Sequence, residues 1–346
     1  MHGNESNNGT ELSSGTVISE VGSAVSRPGS ATPQPGSATP QPSQMRSILI
    51  GMGTYAFWGL MPAFWKLLEH VNSLEILAHR LFWSAFFLIA ICLFIRRREY
   101  LVLFRDRRAV LILLGAGLLS TFNWGMFVYA INSGHILQSS MGYYINPLVS
   151  IALGLLVFKE KLSLAQKIAL TLAALGVLYF TIDYGSFPWV SIALAVSFAI
   201  YGMLKKIGGY PALPALAVET TLVVPLALVY IVVAFFIPGH AFLALDASGA
   251  ISFGSLTTSL LLICGGILTF SPLLLFAEAI NRIPLSWMGF MQYIAPTLSF
   301  LLGVLVFQEE FTHAHAVCFL LIWSGLLLIV IESMVKQRRA GHQARD

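Results

Sequence analysis

Several charged residues lie within long apolar segments, where an ionised side chain is costly and is therefore a candidate for chemistry. Glu75 and His79 are four residues apart and share one face of a helix, and Arg80 follows directly. A charge in the middle of a membrane costs at least about 2.5 kcal/mol. With Lys66, these residues predict a polar pocket for an anionic or zwitterionic group, in which His79 titrates near neutral pH. The alternative is a structural ion pair of Glu75 with Lys66 or Arg80.

Two carboxylates in the second half of the chain are candidates for proton exchange. The segments LEILAHRL and LPALAVET align at an offset of 139 residues, which sets Arg80 against Glu219. Glu278 lies just before a second copy of Ala-Ile-Asn. An apolar setting raises the pKa of a carboxylate, and such a group can bind and release a proton as its surroundings change. The alternatives are a carboxylate that stays in water and one that is capped by Arg282.

Neutral hydrogen-bonding side chains surround two prolines, Pro147 and Pro296, that occupy corresponding positions. A proline inside a helix removes one hydrogen bond and kinks or weakens the turn. Paired breaks of this kind point to a solute-binding site. The residues predicted to bind a solute there are Tyr144, Asn146, Gln292 and Tyr293. The alternative is that the prolines only shape the packing and the tyrosines fill gaps.

Trp58 and Asn123 are the remaining uncharged candidates. Trp58 and the glycine after it are echoed by Tyr201 and Gly202 in the second half of the chain. An aromatic ring on a cavity wall can stack on a solute or a cation. Trp58 is therefore predicted to line a cavity, and Asn123 in the third span is interpreted in the same way. The alternative for both residues is ordinary helix packing.

A repeat orders these candidates along the chain. Residues Tyr144 to Glu160 recur at Tyr293 to Glu309, 149 positions later and without a gap, with ten of the seventeen pairs identical. Recurring Asn, Pro, Gly and Glu weigh more in this comparison than recurring Leu and Val, because apolar sequence matches itself by chance. The chain is therefore predicted to consist of two copies of one unit.

The composition indicates that the solvent of this chain is lipid. Hydrophobic residues make up 57% and charged residues 10%, whereas roughly 25% charged residues is usual in a soluble domain. The net charge of +4 then describes loops beside anionic lipid, and we expect no nucleic-acid partner. The three cysteines lie within apolar segments, so neither a disulfide framework nor a metal site is expected.

Ten apolar segments are long enough to cross a bilayer, at about 20 residues for each ~30 Å crossing. Every second connecting loop is rich in Lys and Arg, which predicts that both termini lie in the cytoplasm. Five segments in each copy is an odd number, so the second copy is predicted to be inverted relative to the first. The predicted spans are 47–67, 75–95, 109–131, 135–158, 163–181, 186–204, 213–237, 254–280, 285–307 and 312–334.

The predicted organisation has four parts. Residues 1–45 are rich in Ser, Gly, Thr and Pro and are expected to form a disordered cytoplasmic tail. The two repeats follow at 46–183 and 184–335, and residues 336–346 form a basic cytoplasmic tail.

Several segments resemble the EamA branch of the drug/metabolite transporter superfamily. They are TYAFWGLMPAFWKLL, EILAHRLFWS, NWGMFVYAINSGHILQSSMGYYINPLVSIALG and GFMQYIAPTLSFLLGV. The resemblance implies a ten-helix permease with two EamA repeats in the cytoplasmic membrane. One departure from the family pattern is Gln138, where the family has Glu, so a role for an ionised carboxylate there is in doubt.

The function expected from these observations is secondary transport of a small organic solute or drug, with export by alternating access and proton coupling as an option. The alternatives are uptake of a metabolite or amino acid, and a non-transporting scaffold or receptor. The sequence has no phosphate-binding glycine loop, no His-Glu-x-x-His helix and no nucleophile elbow, so we expect neither an ATP-driven pump nor an enzyme, and no cofactor. The expected partners are the solute and membrane lipid, and the sequence is compatible with a homodimer.

Overall fold

Long apolar helices account for nearly all of the structure, a computed structural model that describes residues 42–133, 136–185, 187–236, 242–245, 251–253, 255–306 and 313–343. Most of the predicted tail 1–45, Glu309 and the last three residues lie outside this range, as does the side chain of Gln138. The helices and strands in chain order are α1 Pro42–Trp65, α2 Ser73–Ile95, α3 Arg97–Arg105, α4 Arg107–Asn132, α5 Ile136–Leu156, α6 Leu164–Tyr184, α7 Trp189–Gly208, α8 Ala212–Phe235, β1 Leu243–Leu245, β2 Ile251–Phe253, α9 Leu256–Ile280, α10 Leu285–Gln292, α11 Ile294–Leu305 and α12 His313–Gln343.

The prediction of an all-α membrane protein is confirmed. Within the described ranges, eight helices are long and apolar enough to cross a membrane: α1, α2, α4, α6, α7, α8, α9 and α12. Helix α5 contributes a shorter apolar stretch, Met141–Leu156. The described strands form a single short antiparallel hairpin between α8 and α9, in which Leu243 pairs with Phe253.

The predicted span 285–307 is divided into two helices rather than being one. Helix α10 ends at Gln292, and α11 begins at Ile294, with Tyr293 between them. Pro296 explains the position of the break, because a proline ring clashes with the carbonyl four residues earlier, here that of Gln292. In α5 the helix continues through Pro147. Pro147 and Pro296 correspond in the sequence, but the helix is interrupted only in the second case, just before Pro296.

One helix was not predicted. Residues between the second and third spans were expected to form a basic loop, but they contain α3, with basic residues at both ends. Leu103 of α3 is buried with Ala215 and Val218 of α8, and the Tyr100 hydroxyl lies 3.0 Å from that of Thr221. The short helix therefore packs along the first turns of α8.

We call the end of the bundle that contains α3 and the connections α5–α6, α7–α8 and α9–α10 the basic end. Arg105, Lys159, Lys205, Lys206 and Arg282 lie in or next to these connections. The connections are bonded to one another, since the side-chain amide of Asn281 donates to the backbone carbonyl of Tyr210 at 2.9 Å. The alternation of basic loops in the sequence therefore corresponds to one end of the structure.

The predicted repeat makes α1 equivalent to α7, α2 to α8, α4 to α9, α5 to α10–α11 and α6 to α12. With this correspondence, the largest contacts between helices occur in pairs. Helix α5 packs on α7 and α11 packs on α1; α4 packs on α7 and α9 on α1; α2 packs on α9 and α8 on α4. The contacts α2–α8, α5–α10 and α6–α12 join equivalent helices directly. The pattern of packing thus repeats when each helix is replaced by its equivalent.

Two glycines show this relation in atomic detail. A Cβ atom added to Gly176 would lie 3.2 Å from the carbonyl oxygen of Cys318, and one added to Gly325 would lie 2.8 Å from the Cα of Ala169. Gly325 follows Gly176 by 149 positions, and Cys318 follows Ala169 by 149. The crossing of α6 and α12 is therefore made twice with the same pair of positions, and small residues allow the backbones to meet there.

The close approach at Gly325 gives a stability prediction. Gly325→Ala forces the α6 and α12 backbones apart, and overpacking of this kind costs about 1–3 kcal/mol. Gly53→Ala in α1 is the matched control, since nothing lies within 4 Å of its added Cβ, and there alanine is expected to be neutral or stabilising by up to about 1 kcal/mol. Thermal unfolding in detergent, followed by tryptophan fluorescence, measures both. Equal melting temperatures for the two variants would contradict the helix crossing described above.

Candidate functional site

A cavity lies between α2, α4, α8 and α9, with a volume of about 30 Å³ open to a water-sized sphere. Each half of the predicted repeat contributes two of these four helices to its wall. In this conformation the space holds water molecules, and a larger solute requires the surrounding helices to move apart. Its polar lining residues are Arg80, Ser84, Ser120, Thr121, Glu219, Thr220 and Thr269.

Arg80 is the cation on the cavity wall. The side chain starts seven residues into α2, about 10 Å below the helix start at 1.5 Å per residue. Its guanidinium carbon lies 3.8 Å from the centre of the Trp124 ring and 4.4 Å from that of Trp65. Its Nε donates a hydrogen bond of 2.9 Å to the hydroxyl of Thr269. Arg80 is only 8% exposed, so these contacts hold it inside the bundle.

Glu219 is the carboxylate on the same wall, and it has a dedicated partner. The ammonium of Lys205 on α7 lies 2.5 Å from Glu219 Oε2, and both side chains are 4% exposed. Lys205 also lies 5.7 Å from the centre of the Tyr201 ring. Glu219 is seven residues into α8, which starts at the basic end. The ion pair therefore separates the cavity from that end of the bundle.

The structure separates Arg80 from Glu75 and His79, which were predicted to share one pocket with it. Glu75 accepts a hydrogen bond of 3.1 Å from the backbone N–H of Phe242, and the His79 ring lies 4.6 Å from the Phe242 ring. Neither residue lines the cavity, because successive residues on a helix are rotated by about 100°. Lys66 is exposed in the short 3₁₀ turn after α1. The prediction of one shared pocket is therefore wrong in its geometry, and only Arg80 faces the cavity.

Glu278 lies in a different setting from Glu219. It forms an ion pair of 2.6 Å with Arg282, one turn further along, and the two side chains are 38% and 52% exposed. This is the capped carboxylate that the sequence offered as an alternative. Of the two predicted proton carriers, only Glu219 has an apolar setting.

The four residues around the prolines take part in helix packing. Tyr144 and Tyr293 are buried against α6 and α12, and the Tyr293 hydroxyl donates to the Tyr144 carbonyl at 3.5 Å. The Gln292 amide donates to the Ser150 hydroxyl at 3.2 Å, and the same hydroxyl donates to Asn146 Oδ1 at 3.3 Å. None of these residues lines the cavity described above. The arrangement matches the alternative in which they fill gaps.

Trp58 and Asn123 also join helices to each other. The Trp58 ring lies 5.6 Å from Phe198 and 5.8 Å from Phe276, and Phe276 is stacked on Tyr201. Trp58 and Tyr201, which occupy similar positions in the two halves of the sequence, thus belong to one aromatic cluster between α1, α7 and α9. The Asn123 amide donates to the Leu194 carbonyl at 2.7 Å and to the Ser197 hydroxyl at 2.8 Å, and so ties α4 to α7.

Glu160 forms a contact at the basic end that the sequence did not predict. Its two carboxylate oxygens accept hydrogen bonds from the backbone N–H groups of Leu285 and Ser286, at 2.7 and 2.8 Å. These are free N–H groups at the start of α10, where the helix dipole also favours a negative charge. The ammonium of Lys206 donates to the Ile283 carbonyl at 2.6 Å. The Glu160 contacts therefore fasten the α9–α10 turn to the connection after α5, and the Lys206 contact fastens the same turn to the end of α7.

Burial raises the pKa of the Tyr210 phenol in the connection between α7 and α8, and the negative charge of Asp106 acts in the same direction while Arg108 opposes it. The phenol therefore stays neutral at physiological pH. Two residues of the cavity wall, Ser84 and Thr269, have no distinguishing signal in the sequence, and neither has Trp65, which contacts Arg80. Lys205 lies one residue beyond the predicted span 186–204, so the sequence places it in a basic loop, whereas the structure places it in the last turn of α7.

Known proteins resemble this chain over most of its length. Residues 45–182 match the model of the EamA-like transporter family. The uncharacterized transporter YojE of Bacillus subtilis (strain 168) is 42% identical over 83% of this chain and 94% of its own length. Protein RarD of Streptomyces exfoliatus is 38% identical over 86% and 92%, and protein RarD of Escherichia coli (strain K12) is 36% identical over 85% and 97%.

A solved crystal structure has the same fold. It superimposes with a TM-score of 0.64 at 17% sequence identity, over 84% of this chain and 99% of the other. At this identity, the similarity concerns the arrangement of the helices alone.

The buried ion pair beneath the cavity gives a second stability prediction. Lys205→Met leaves a buried carboxylate without its partner, and a change of this kind costs about 3–5 kcal/mol. The double variant Lys205→Met/Glu219→Leu removes both charges and is expected to regain most of that stability. Arg282→Met at the exposed pair is the control, with an expected loss below about 1 kcal/mol. Thermal unfolding in detergent tests the series, and a Lys205→Met variant as stable as Arg282→Met would contradict a buried pair.

Proposed function

The chain belongs to the EamA-like transporter family, and we propose on that premise that it is a secondary transporter that moves a small organic solute through the cavity between α2, α4, α8 and α9. The observation that carries the proposal is the cavity itself, which contains charged and hydroxyl side chains inside an apolar bundle. Such groups are costly within a membrane, so their presence there indicates a function. Export is the direction that we propose.

We propose further that the bundle consists of ten spans in two inverted halves. The first half is α1, α2, α4, α5 and α6, and the second is α7, α8, α9, the broken α10–α11 and α12. The exchange of matching helices in the largest packing contacts and the two matched glycine crossings support this arrangement. Inverted halves around a central site are the architecture of alternating access. In this scheme the two halves rock about the cavity and expose it to each side in turn.

The basic end is proposed to face the cytoplasm. The lysines and arginines of the chain's connecting segments are concentrated there, and the positive-inside rule places such segments on the cytoplasmic side. With an even number of spans, both termini then lie on that side as well. The residues predicted to form the disordered tail 1–45 and the basic tail 336–346 would belong to this compartment.

Glu219 is the residue that we propose for proton coupling. It lies on the cavity wall and its carboxylate holds Lys205 beside the basic end. Protonation of Glu219 would remove the charge that holds Lys205 and would weaken the contact between α7 and α8. A proton entering from one side could therefore favour the opening of the other end. The exposed Glu278 pair offers no such link to the cavity.

Topology can be tested with reporter fusions in a bacterial host. A green fluorescent protein, which fluoresces only when it folds in the cytoplasm, is fused after Asp346, and alkaline phosphatase, which is active only outside the cytoplasm, is fused after Phe187. Both reporters are expected to be active, and the exchanged pair is expected to be inactive. Activity of the exchanged pair instead would reverse the proposed orientation.

Transport is tested with the purified full-length protein in liposomes on a solid-supported membrane, against a panel of amino acids, phenicol drugs, lipophilic cations and organic acids. A saturable current is expected for at least one solute, and solution exchange from either side gives the direction. Silence of a correctly folded protein across the panel would favour the scaffold or receptor alternative.

Proton coupling is tested on the solute that passes. A pH gradient is expected to drive transport by the wild type and by Glu278→Gln, whereas Glu219→Gln is expected to lose that dependence because it cannot exchange a proton. The melting temperature of each variant shows whether it is folded. Loss of coupling in Glu278→Gln alone would assign the proton to Glu278 instead.

A further inference from the structure

Arg80 carries a charge that the described part of the chain does not balance. Among the described residues, no carboxylate lies within ion-pair distance of its guanidinium. Its described hydrogen bond uses Nε, which donates to the hydroxyl of Thr269. The terminal amino groups, which have the planar geometry that binds a carboxylate with two hydrogen bonds, have no hydrogen-bond acceptor among these residues.

The equivalent position in the other half shows what is missing. Glu219 corresponds to Arg80 at an offset of 139, and it has Lys205 as its partner. The match between Trp58 and Tyr201, at an offset of 143, places Pro62 at the position that corresponds to Lys205. The first half thus has a charge at the equivalent site but no side chain from the neighbouring helix that could neutralise it.

The remaining contacts of Arg80 support the cation without cancelling it. The Trp65 and Trp124 rings lie 4.4 and 3.8 Å from the guanidinium carbon, and the negative face of an aromatic ring attracts a cation. They stabilise a positive charge that remains positive. Since Glu219 is already neutralised by Lys205, the described wall of the cavity has one net positive charge.

The other walls indicate what kind of molecule would carry the balancing charge. Apart from the charged side chains, the polar groups on the wall are five hydroxyls, those of Ser84, Ser120, Thr121, Thr220 and Thr269, and most of the other lining side chains are apolar. The apolar lining residues are Leu77, Leu81, Leu88, Leu216, Val223, Phe270 and Leu273. A wholly polar ion would leave these side chains facing water, whereas an apolar group attached to the anion would cover them.

We propose that Arg80 is an anion-binding residue and that the transported solute is an organic monoanion, a carboxylate attached to an apolar body. The inference rests on the proposed transport function and adds the class of solute to it. The carboxylate accepts two hydrogen bonds from the guanidinium, and the apolar body lies along α2, α8 and α9 toward Glu219. Cationic amines are excluded from this position by the positive charge of Arg80.

Binding can be measured apart from transport. The purified full-length protein is heated in detergent with phenylacetate, hexanoate or indole-3-acetate, with the primary amide of each acid, or with phenethylamine. Ligands that bind only the folded state raise the melting temperature in proportion to their saturation. At least one acid is expected to raise it saturably, while its amide and the amine do not. If every amide stabilises as well as its acid, the proposal is wrong.

Variants assign the effect to Arg80. Arg80→Gln is expected to weaken binding of the acid by about ten- to a hundredfold, since hydrogen bonds to a charged group are lost. Arg80→Lys keeps the charge without the planar fork and is expected to retain part of the affinity. Arg282→Gln is the control and is expected to bind as the wild type does. Unchanged binding by a folded Arg80→Gln would overturn the assignment.

If Arg80→Gln does not fold, the comparison of acid and amide in the wild type and in Arg80→Lys decides the question. Chloride at the same concentration serves as the control for negative charge alone, and a response to chloride equal to that of the acids would also overturn the proposal. The liposome currents separate this inference from the transport function. Currents carried only by neutral or cationic solutes would leave transport standing and remove the anion site. Binding of acids without any current would support the anion site and contradict the transport function.

Discussion

A buried charge in an apolar bundle must be balanced by another charge or by hydrogen bonds, and this constraint governs the charged residues inside the bundle. Glu219 is held by Lys205, Glu278 by Arg282 near the end of its helix, and Glu160 by two backbone N–H groups. Each arrangement lowers the cost of taking a carboxylate out of water. Arg80 differs, because its neighbours are aromatic rings and a hydroxyl. The proposed anion site follows from the absence of a carboxylate partner for Arg80 among the described residues.

The two copies of the predicted repeat are alike where α6 crosses α12 and different at the cavity. The crossing uses the same two positions of the repeat in both copies, because only small residues allow the backbones to meet there. At the cavity the copies differ, with a cation in one half and a carboxylate in the other. The proline positions differ in a similar way, since the helix is broken before Pro296 and continuous at Pro147. The charges on the cavity wall thus depend on positions at which the two copies of the predicted repeat have different residues.

The sequence predicted most of the helices and selected Arg80 and Glu219 from their alignment. It failed where a prediction depended on which way a side chain points. Glu75 and His79 are neighbours of Arg80 in the chain, but they contact Phe242 from the loop after α8. Tyr144, Gln292 and Trp58 were selected as solute ligands on their type and position, and they pack between helices. A polar or aromatic residue near the middle of a span serves either purpose, and its type alone does not distinguish them.

The sequence by itself determined that the chain is an apolar, helical membrane protein and predicted that it consists of two copies of one unit, because apolar run length, the spacing of basic loops and the 149-residue repeat are properties of the chain read in one dimension. Only the tertiary structure decided which residues share a cavity. Arg80 meets Thr269 across 189 residues, and Lys205 meets Glu219 from another helix. Such meetings depend on the rotation of each helix about its own axis and on where two helices cross. Successive residues differ by about 100° around the helix axis, so the rotation of the helix decides whether a residue lies on the cavity wall or in a packed interface, and no local pattern in the sequence encodes that rotation.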